Sequence, residues 1–304
     1  MTQPPTATPT ASATVGATAP AAPPFGRLLL TGAAGGIGRQ LRERLGAHCQ
    51  TLRLSDRDLA ALGPARAGEE FMPARLEDAA AMHDLLAGVD AVVHLGGVSV
   101  EAPWEPILQA NIVGLFHLYE AARRQGTKRI VFASSNHVTG FYRQDETIDT
   151  LAPPRPDGLY GVSKAFGENL SRMYWHRHGI QTVCLRIGSV TPAPVDRRML
   201  ATWLSIDDME RLVIASLRTP VAGHTIVFGM SDNGQRWWDN RHAAHIGYQP
   251  QDSSERFRAQ VEAAQPVWLD ASDPAIAYQG GRFVGLGPYD DLPEHLPAYL
   301  RGQA

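Results

Sequence analysis

Along this chain, short unbroken apolar runs alternate with stretches in which apolar residues recur every three or four positions. Leu28 to Leu30 is the first run, and Ile37, Leu41 and Leu45 then fall on one helical face. The runs "TLRLSD" (51–56), "EEFM" (69–72), "DAVVHLGG" (90–97), "RIVFASSN" (129–136), "QTVCLRIGS" (181–189) and "HTIVFG" (224–229) predict further strands. Between them, "EDAAAMHDLLAG" (77–88), "EPILQANIVGLFHLYEAARRQG" (105–126), a segment opening at "YGVSK" (160–164) and "IDDMERLVIASLRTP" (206–220) predict helices. Strands alternating with helices imply a doubly wound parallel α/β sheet. Continuous apolar strands such as "AVVHL" suit a sheet covered on both faces.

The pattern changes at both ends. Residues 1–25 carry no charge and are rich in Pro, Ala and Thr, so they are expected to form a disordered tail rather than a secretory signal. After residue 190 the periodicity is interrupted, and Trp and Pro become frequent. We therefore expect residues 26–190 to form the nucleotide-binding domain. Residues 191–304 should form a small C-terminal substrate-binding cap packed on the same domain, around the carboxyl ends of the strands. No run is long enough to span a membrane, and a net charge of −3 points away from nucleic acid and anionic membranes. With only Cys49 and Cys184, no disulfide framework is indicated, which fits a cytoplasmic protein.

The first strand runs into "TGAAGGIG", which spaces Gly32, Gly35 and Gly38 by three between strand and helix. Residues without Cβ let a pyrophosphate approach the backbone and sit on the helix N-terminus. Gly32, Gly35, Gly36, Ile37 and Gly38 thus form the expected cofactor turn of a Rossmann-type fold. Asp56 closes the second strand 18 residues after Gly38. A carboxylate there accepts from a ribose 2′-hydroxyl and repels a 2′-phosphate, which favours NAD over NADP, although Arg57 beside it pulls the other way.

Tyr160 and Lys164 lie four residues apart and share a helix face. Alone, such a pair reads as amphipathic surface as readily as an acid–base couple. Ser135, 25 residues upstream at the end of "ASS", and Asn111 in "LQANIVG" add to it. Together with the glycine turn and "HLGG", these residues resemble the short-chain dehydrogenase/reductase superfamily in its extended branch, over residues 27 to about 190. The resemblance implies Tyr160 as general base and Ser135 as a donor to the same substrate oxygen. Lys164 would hold the nicotinamide ribose, and Asn111 would position Lys164 through water. The chemistry agrees: a free phenol titrates near roughly pH 10, and a neighbouring ammonium and nicotinamide cation both favour its phenolate.

The likeness extends over almost the whole ordered length to the uronate dehydrogenases, through "LTGAAGGIGR", "VVHLGGVSVE", "IVFASSNH", "RPDGLYGVSK", "RRMLATW" and "WWDN". It implies NAD-dependent oxidation of the C1 hydroxyl of cyclic D-galacturonate or D-glucuronate to an aldarolactone, by a homo-oligomer. Position by position, Ser99, Ser135, Asn136, His137, Tyr160, Ser189 and Arg198 would line the sugar site, and Leu95 and Gly96 would touch the cofactor. A guanidinium is a fork suited to a carboxylate, and the choice of Arg198 over Arg197 rests on the resemblance.

One departure stands out: Arg75 falls where the superfamily usually has an acid near the adenine. Leu76 can still meet the adenine, and Asp78 is a candidate substitute. Phe283 either closes over the sugar or packs in the core. His242 and His245 lack the neighbours of a metal site, so no metal is expected. A nucleotide-sugar epimerase or dehydratase would use the same cofactor and Tyr but normally needs a larger C-terminal portion. A non-catalytic NAD-sensing protein could dispense with Tyr and Lys.

Overall fold

The structure is a computed structural model that describes residues 24–265 and 272–287. The expected tail lies, except for its last two residues, outside the described residues. Phe25 already belongs to the first strand, because it pairs with Cys49, so regular structure starts one residue earlier than the charge-free run suggested.

Seven strands form one parallel sheet: β1 (Phe25–Thr31), β2 (Cys49–Ser55), β3 (Glu69–Phe71), β4 (Ala91–His94), β5 (Arg129–Ser135), β6 (Gln181–Ile187) and β7 (His224–Gly229). Their order is 3-2-1-4-5-6-7, so the sheet is wound outward in both directions from the gap between β1 and β4. The alternation of strand side chains divides the core. Leu28 and Leu30 face one side, where α1 (Gly36–Leu45) brings Leu41 and Leu45. Leu29 faces the other side, with Met82 and Leu85 of α2 (Ala79–Leu85) and Leu115 and Leu118 of α3 (Gly114–Gln125).

The long helix read over 105–126 is not one continuous α-helix. It starts as Trp104–Ile107, widens into a π-helical turn over Leu108–Val113 and resumes as α3. The wide turn contains Asn111, and such bulges often mark functional sites. The helix α4 (Leu159–His178) follows, and α5 (Ile206–Arg218) packs Met209, Leu212 and Val213 against the same face of the sheet as α1. Residues 206–229 therefore complete the main sheet with α5 and β7, whereas segments around 196–199 and 280–283 line the cleft at the carboxyl ends of the strands.

The inner face of α4 is polar. Tyr160, Lys164 and Glu168 recur every four residues and are buried, together with Ser163 and Ser171, while Leu159, Val162 and Met173 are exposed. Glu168 makes a bidentate ion pair with Arg186 of β6, both bonds at 2.9 Å, and accepts from Ser134 Oγ at 2.7 Å. Both members of the pair are almost entirely out of water. Glu168→Ala would leave the guanidinium buried without its partner, and breaking such a pair costs about 3–5 kcal/mol. Urea unfolding should show a loss of that order, and a change below about 1 kcal/mol would mean the pair does not anchor α4.

Candidate active site

A cleft of about 1630 Å³ runs across the carboxyl ends of β1, β2, β4, β5 and β6. Its floor at one end is the glycine turn. Gly32 has φ +68°, and a Cβ there would come within 2.7 Å of the Leu95 carbonyl carbon. At Gly38 a Cβ would sit 2.1 Å from the Gly32 oxygen, so α1 can approach β1 this closely only without a side chain. Asp56 Oδ2 accepts from the Ala34 amide at 3.0 Å, and Oδ1 accepts from the Arg57 amide at 2.8 Å. The carboxylate thus braces the turn from the end of β2. Leu76, Leu95 and Gly96 line the cleft beside it. Arg75 also lines the cleft and is paired with Glu77, whereas Asp78 is occupied as the N-cap of α2, accepting from Ala80 and Ala81 at 3.0 Å each.

The other end of the cleft gathers Ser99, Ser135, Asn136, His137, Tyr160, Lys164, Ser189 and Arg198. Lys164 Nζ donates to the Ala133 carbonyl at 2.9 Å and lies 5.6 Å from the centre of the Tyr160 ring. Burial lowers the Lys164 pKa to about 8. Asn111 sits in the wide helical turn, and its amide is engaged elsewhere. Nδ2 donates to Val98 O (3.0 Å) and Ser163 Oγ (2.9 Å), and Oδ1 accepts from Val98 N (2.8 Å). Asn111 therefore ties the loop after β4 to α4 rather than bonding Lys164 itself.

Arg198 is held by three neutral oxygens. Nε donates to Gln279 O at 2.6 Å and Nη1 to Ser189 Oγ at 3.2 Å. The Asn136 amide, oriented so that its nitrogen donates to Ile187 O (3.0 Å), accepts from Nη2 at 2.8 Å. No carboxylate pairs with Arg198 among the described residues, and burial pulls its pKa down, partly offset by Asp196 and Asp157. Arg197 points elsewhere: Nε donates to Gln265 O at 2.5 Å and Nη1 faces Glu262 at 3.5 Å. Phe283 stacks on His137 with ring centres 3.8 Å apart, at the wall of the cleft.

The profile of the NAD dependent epimerase/dehydratase family matches residues 28–205. The uronate dehydrogenase of Pseudomonas putida is 58% identical over 88% of this chain and 98% of its own length. The chain belongs to the uronate dehydrogenase family. Among solved structures, a glucuronic acid dehydrogenase from Chromohalobacter salexigens matches at 52% identity with a TM-score of 0.85, covering 88% of this chain and all of that one. A variant of the Agrobacterium tumefaciens uronate dehydrogenase, solved in complex with NAD, matches at 50% identity with a TM-score of 0.82 over 86% of this chain and 97% of that one.

As a member of this family the chain is an NAD-dependent oxidoreductase, and the glycine end of the cleft fits that cofactor. Gly36 opens onto free space, and the Asp56 carboxylate stands at the end of β2. Three residues that the sequence reading passed over hold the site together. Glu101 accepts from the amides of Leu159 (2.9 Å) and Tyr160 (2.9 Å), capping α4 from a loop 58 residues upstream. Asp157, which in "PDGLY" reads as a local helix cap, turns instead to His137 Nδ1 at 2.7 Å. Gln279 is fully buried and donates to the carbonyls of Arg143 (3.0 Å) and Glu146 (2.9 Å). Its side-chain oxygen accepts from Trp238 Nε1 at 2.8 Å, which fixes the stretch of chain whose carbonyl holds Arg198. His242 meets Asp149 (3.3 Å) and His245 meets Thr225 (3.0 Å).

Two substitutions test these electrostatics. Asp56→Ala removes the negative charge that disfavours a 2′-phosphate, so the ratio of catalytic efficiencies with NAD and NADP should fall about tenfold or more, the worth of one hydrogen bond to a charged group. An unchanged ratio would place the ribose elsewhere. Lys164 binds its proton less tightly folded than unfolded, so between about pH 8 and its ordinary value the unfolded chain carries more charge and folding is disfavoured less as pH rises. At neutral pH the buried ammonium therefore opposes stability. Lys164→Met should lose turnover yet melt above wild type at pH 7, by roughly 2–5 °C, with the gap closing towards about pH 10. Equal melting shifts at both pH values would show that the ammonium carries no burial cost.

Proposed function

We propose that this enzyme oxidises the C1 hydroxyl of cyclic hexuronic acids, D-galacturonate and D-glucuronate, to aldarolactones. The observation that carries the reading is Arg198: a half-buried guanidinium at the cleft wall whose three hydrogen-bond partners are all neutral. A cation partly withdrawn from water with no carboxylate in direct contact is costly. An anionic substrate supplies the missing charge, and the C6 carboxylate of a uronate does so at one end of a molecule otherwise made of hydroxyls. Ser99, Ser135 and His137 offer the neutral donors and acceptors those hydroxyls need.

In this reading Tyr160 takes the proton of the C1 hydroxyl. The Lys164 ammonium near the ring favours the phenolate that accepts it. The Ser135 hydroxyl orients the same oxygen. NAD, when bound, supplies the acceptor for the hydride that leaves C1. Because the ring oxygen is already bonded to C1, the carbonyl formed there is that of a lactone. The two cysteines, both buried and unpaired, support a reducing cytoplasm. Exposed Phe116, Val162 and Met173 on α3 and α4 support assembly into a homo-oligomer.

The test is selectivity for the carboxylate. Hydrogen bonds to charged groups are worth roughly 1.5–3 kcal/mol, so Arg198→Ala should cut kcat/KM on galacturonate by about 10–150-fold while NAD affinity holds. Arg198→Lys keeps the charge without the fork and should fall between. Galactose should be a poor substrate for wild type and lose nothing further in the variant. Equal proportional losses on both sugars would mean the carboxylate is bound elsewhere.

A further inference from the structure

Asp157 stands just ahead of α4 with its side chain almost wholly out of water. Only one of its oxygens is used: Oδ2 lies 2.7 Å from His137 Nδ1, while Oδ1 has no partner among the described residues. Two glycines make room for it. A Cβ on Gly140 would come within 1.9 Å of Oδ2, and one on Gly280 within 2.0 Å. A buried carboxylate with a single hydrogen bond is an expensive feature, and neither the fold nor the proton transfer at Tyr160 accounts for it.

His137 is fixed by more than this bond. Phe283 stacks on its ring at 3.8 Å and 22°, and Tyr160 meets it edge-on at 5.8 Å. The ring lines the cleft beside Ser135, Asn136, Ser189 and Arg198, and its Nε2 has no hydrogen-bond partner among the described residues. The charged or titratable groups around it are Asp157, Tyr160 and Arg198. Burial lowers the His137 pKa, Asp157 opposes this, and the Arg198 cation adds to the lowering. The neutral ring follows, and a neutral imidazole has one N–H and one acceptor nitrogen whose places are set by what Nδ1 meets.

We propose that Asp157 is a positioning residue that holds His137 as the Nδ1–H tautomer, so that Nε2 is a hydrogen-bond acceptor for a ring hydroxyl of the sugar. This rests on the uronate reading of the cleft. It assigns the pocket an acceptor beside an amide that is already engaged at both atoms, since Asn136 donates to Ile187 O and accepts from Arg198. Replacing the carboxylate by an amide, in Asp157→Asn, removes the constraint, because an amide can donate as well as accept. The new amide nitrogen can donate to Nδ1, and the ring then carries its proton on Nε2 and meets the hydroxyl as a donor.

The experiment is long-range ¹H–¹⁵N NMR on protein with labelled histidine, without substrate at about pH 7, where a histidine of lowered pKa is neutral, with His137→Gln identifying the signal. Wild type should show a protonated Nδ1 and a bare Nε2, and Asp157→Asn should show the reverse. In kinetics, Asp157→Asn should raise KM for galacturonate about tenfold, the size of one lost hydrogen bond, with a smaller change in kcat and none in NAD affinity. A protonated Nε2 in wild type, or Asp157→Asn that gains the Nε2–H form with unchanged KM, overturns the proposal. If Asp157→Asn fails to fold, the wild-type tautomer still decides. A wild type that ignores galacturonate would overturn the substrate reading instead, while the tautomer, read without substrate, still decides for or against Asp157.

Discussion

The ion pair between Glu168 and Arg186 fixes α4 across β5 and β6, and the chemistry of the cleft depends on where that helix lies. Lys164 is one turn before Glu168 and Tyr160 one turn before that, so a rotation of α4 that freed Glu168 would carry both away from the strand ends. Ser134 closes the pair from β5, next to Ser135 in the cleft. From the other end Glu101 caps the first turn of α4, and Asn111 bonds Ser163 on the same helix. The loop after β4, which also carries Ser99, is thereby tied to α4 at two points.

The cleft concentrates charge that burial partly withdraws from water. Lys164 leans on a backbone carbonyl and Arg198 on three neutral oxygens, and burial weakens the hold of both on their protons. Each is a liability to the fold taken alone. Each is also what the proposed chemistry uses, Lys164 toward the Tyr160 phenol and Arg198 toward a sugar acid, because a charge partly held out of water acts strongly on what enters. The stability lost there is offset by the two apolar layers on either side of the sheet.

Beyond the cofactor end, the site is finished by chain that does not belong to the parallel core. The segment 278–283 hangs on Gln279, sends one carbonyl to Arg198 and stacks Phe283 on His137. Phe283, which the sequence left between core packing and closure over the sugar, is a wall of the cleft. That segment holds Arg198 at the cleft wall while Arg197 turns to Gln265, so the two adjacent arginines point in different directions.

The sequence by itself determined the strands, their alternation with helices, the glycine turn and the pairing of Tyr160 with Lys164. All of these are written in neighbours along the chain: an apolar run, a missing Cβ, a spacing of four. It could not show the π turn inside the long helix before β5, because such a turn changes no residue type, and the Tyr160–Lys164 pair alone read as surface as readily as site because the buried face of α4 is polar and its exposed face partly apolar. The contacts that aim the site were settled only by the tertiary structure. Glu101 reaches Tyr160 across 59 positions, Gln279 meets Arg198 across 81, and Asp157 bonds His137 rather than the helix it precedes. Each of those residues has an ordinary local use, as surface acid, loop amide or helix cap. Which use it takes is fixed only once the parallel register brings the carboxyl ends of the strands together and the loops leaving them must satisfy one another's polar groups out of water.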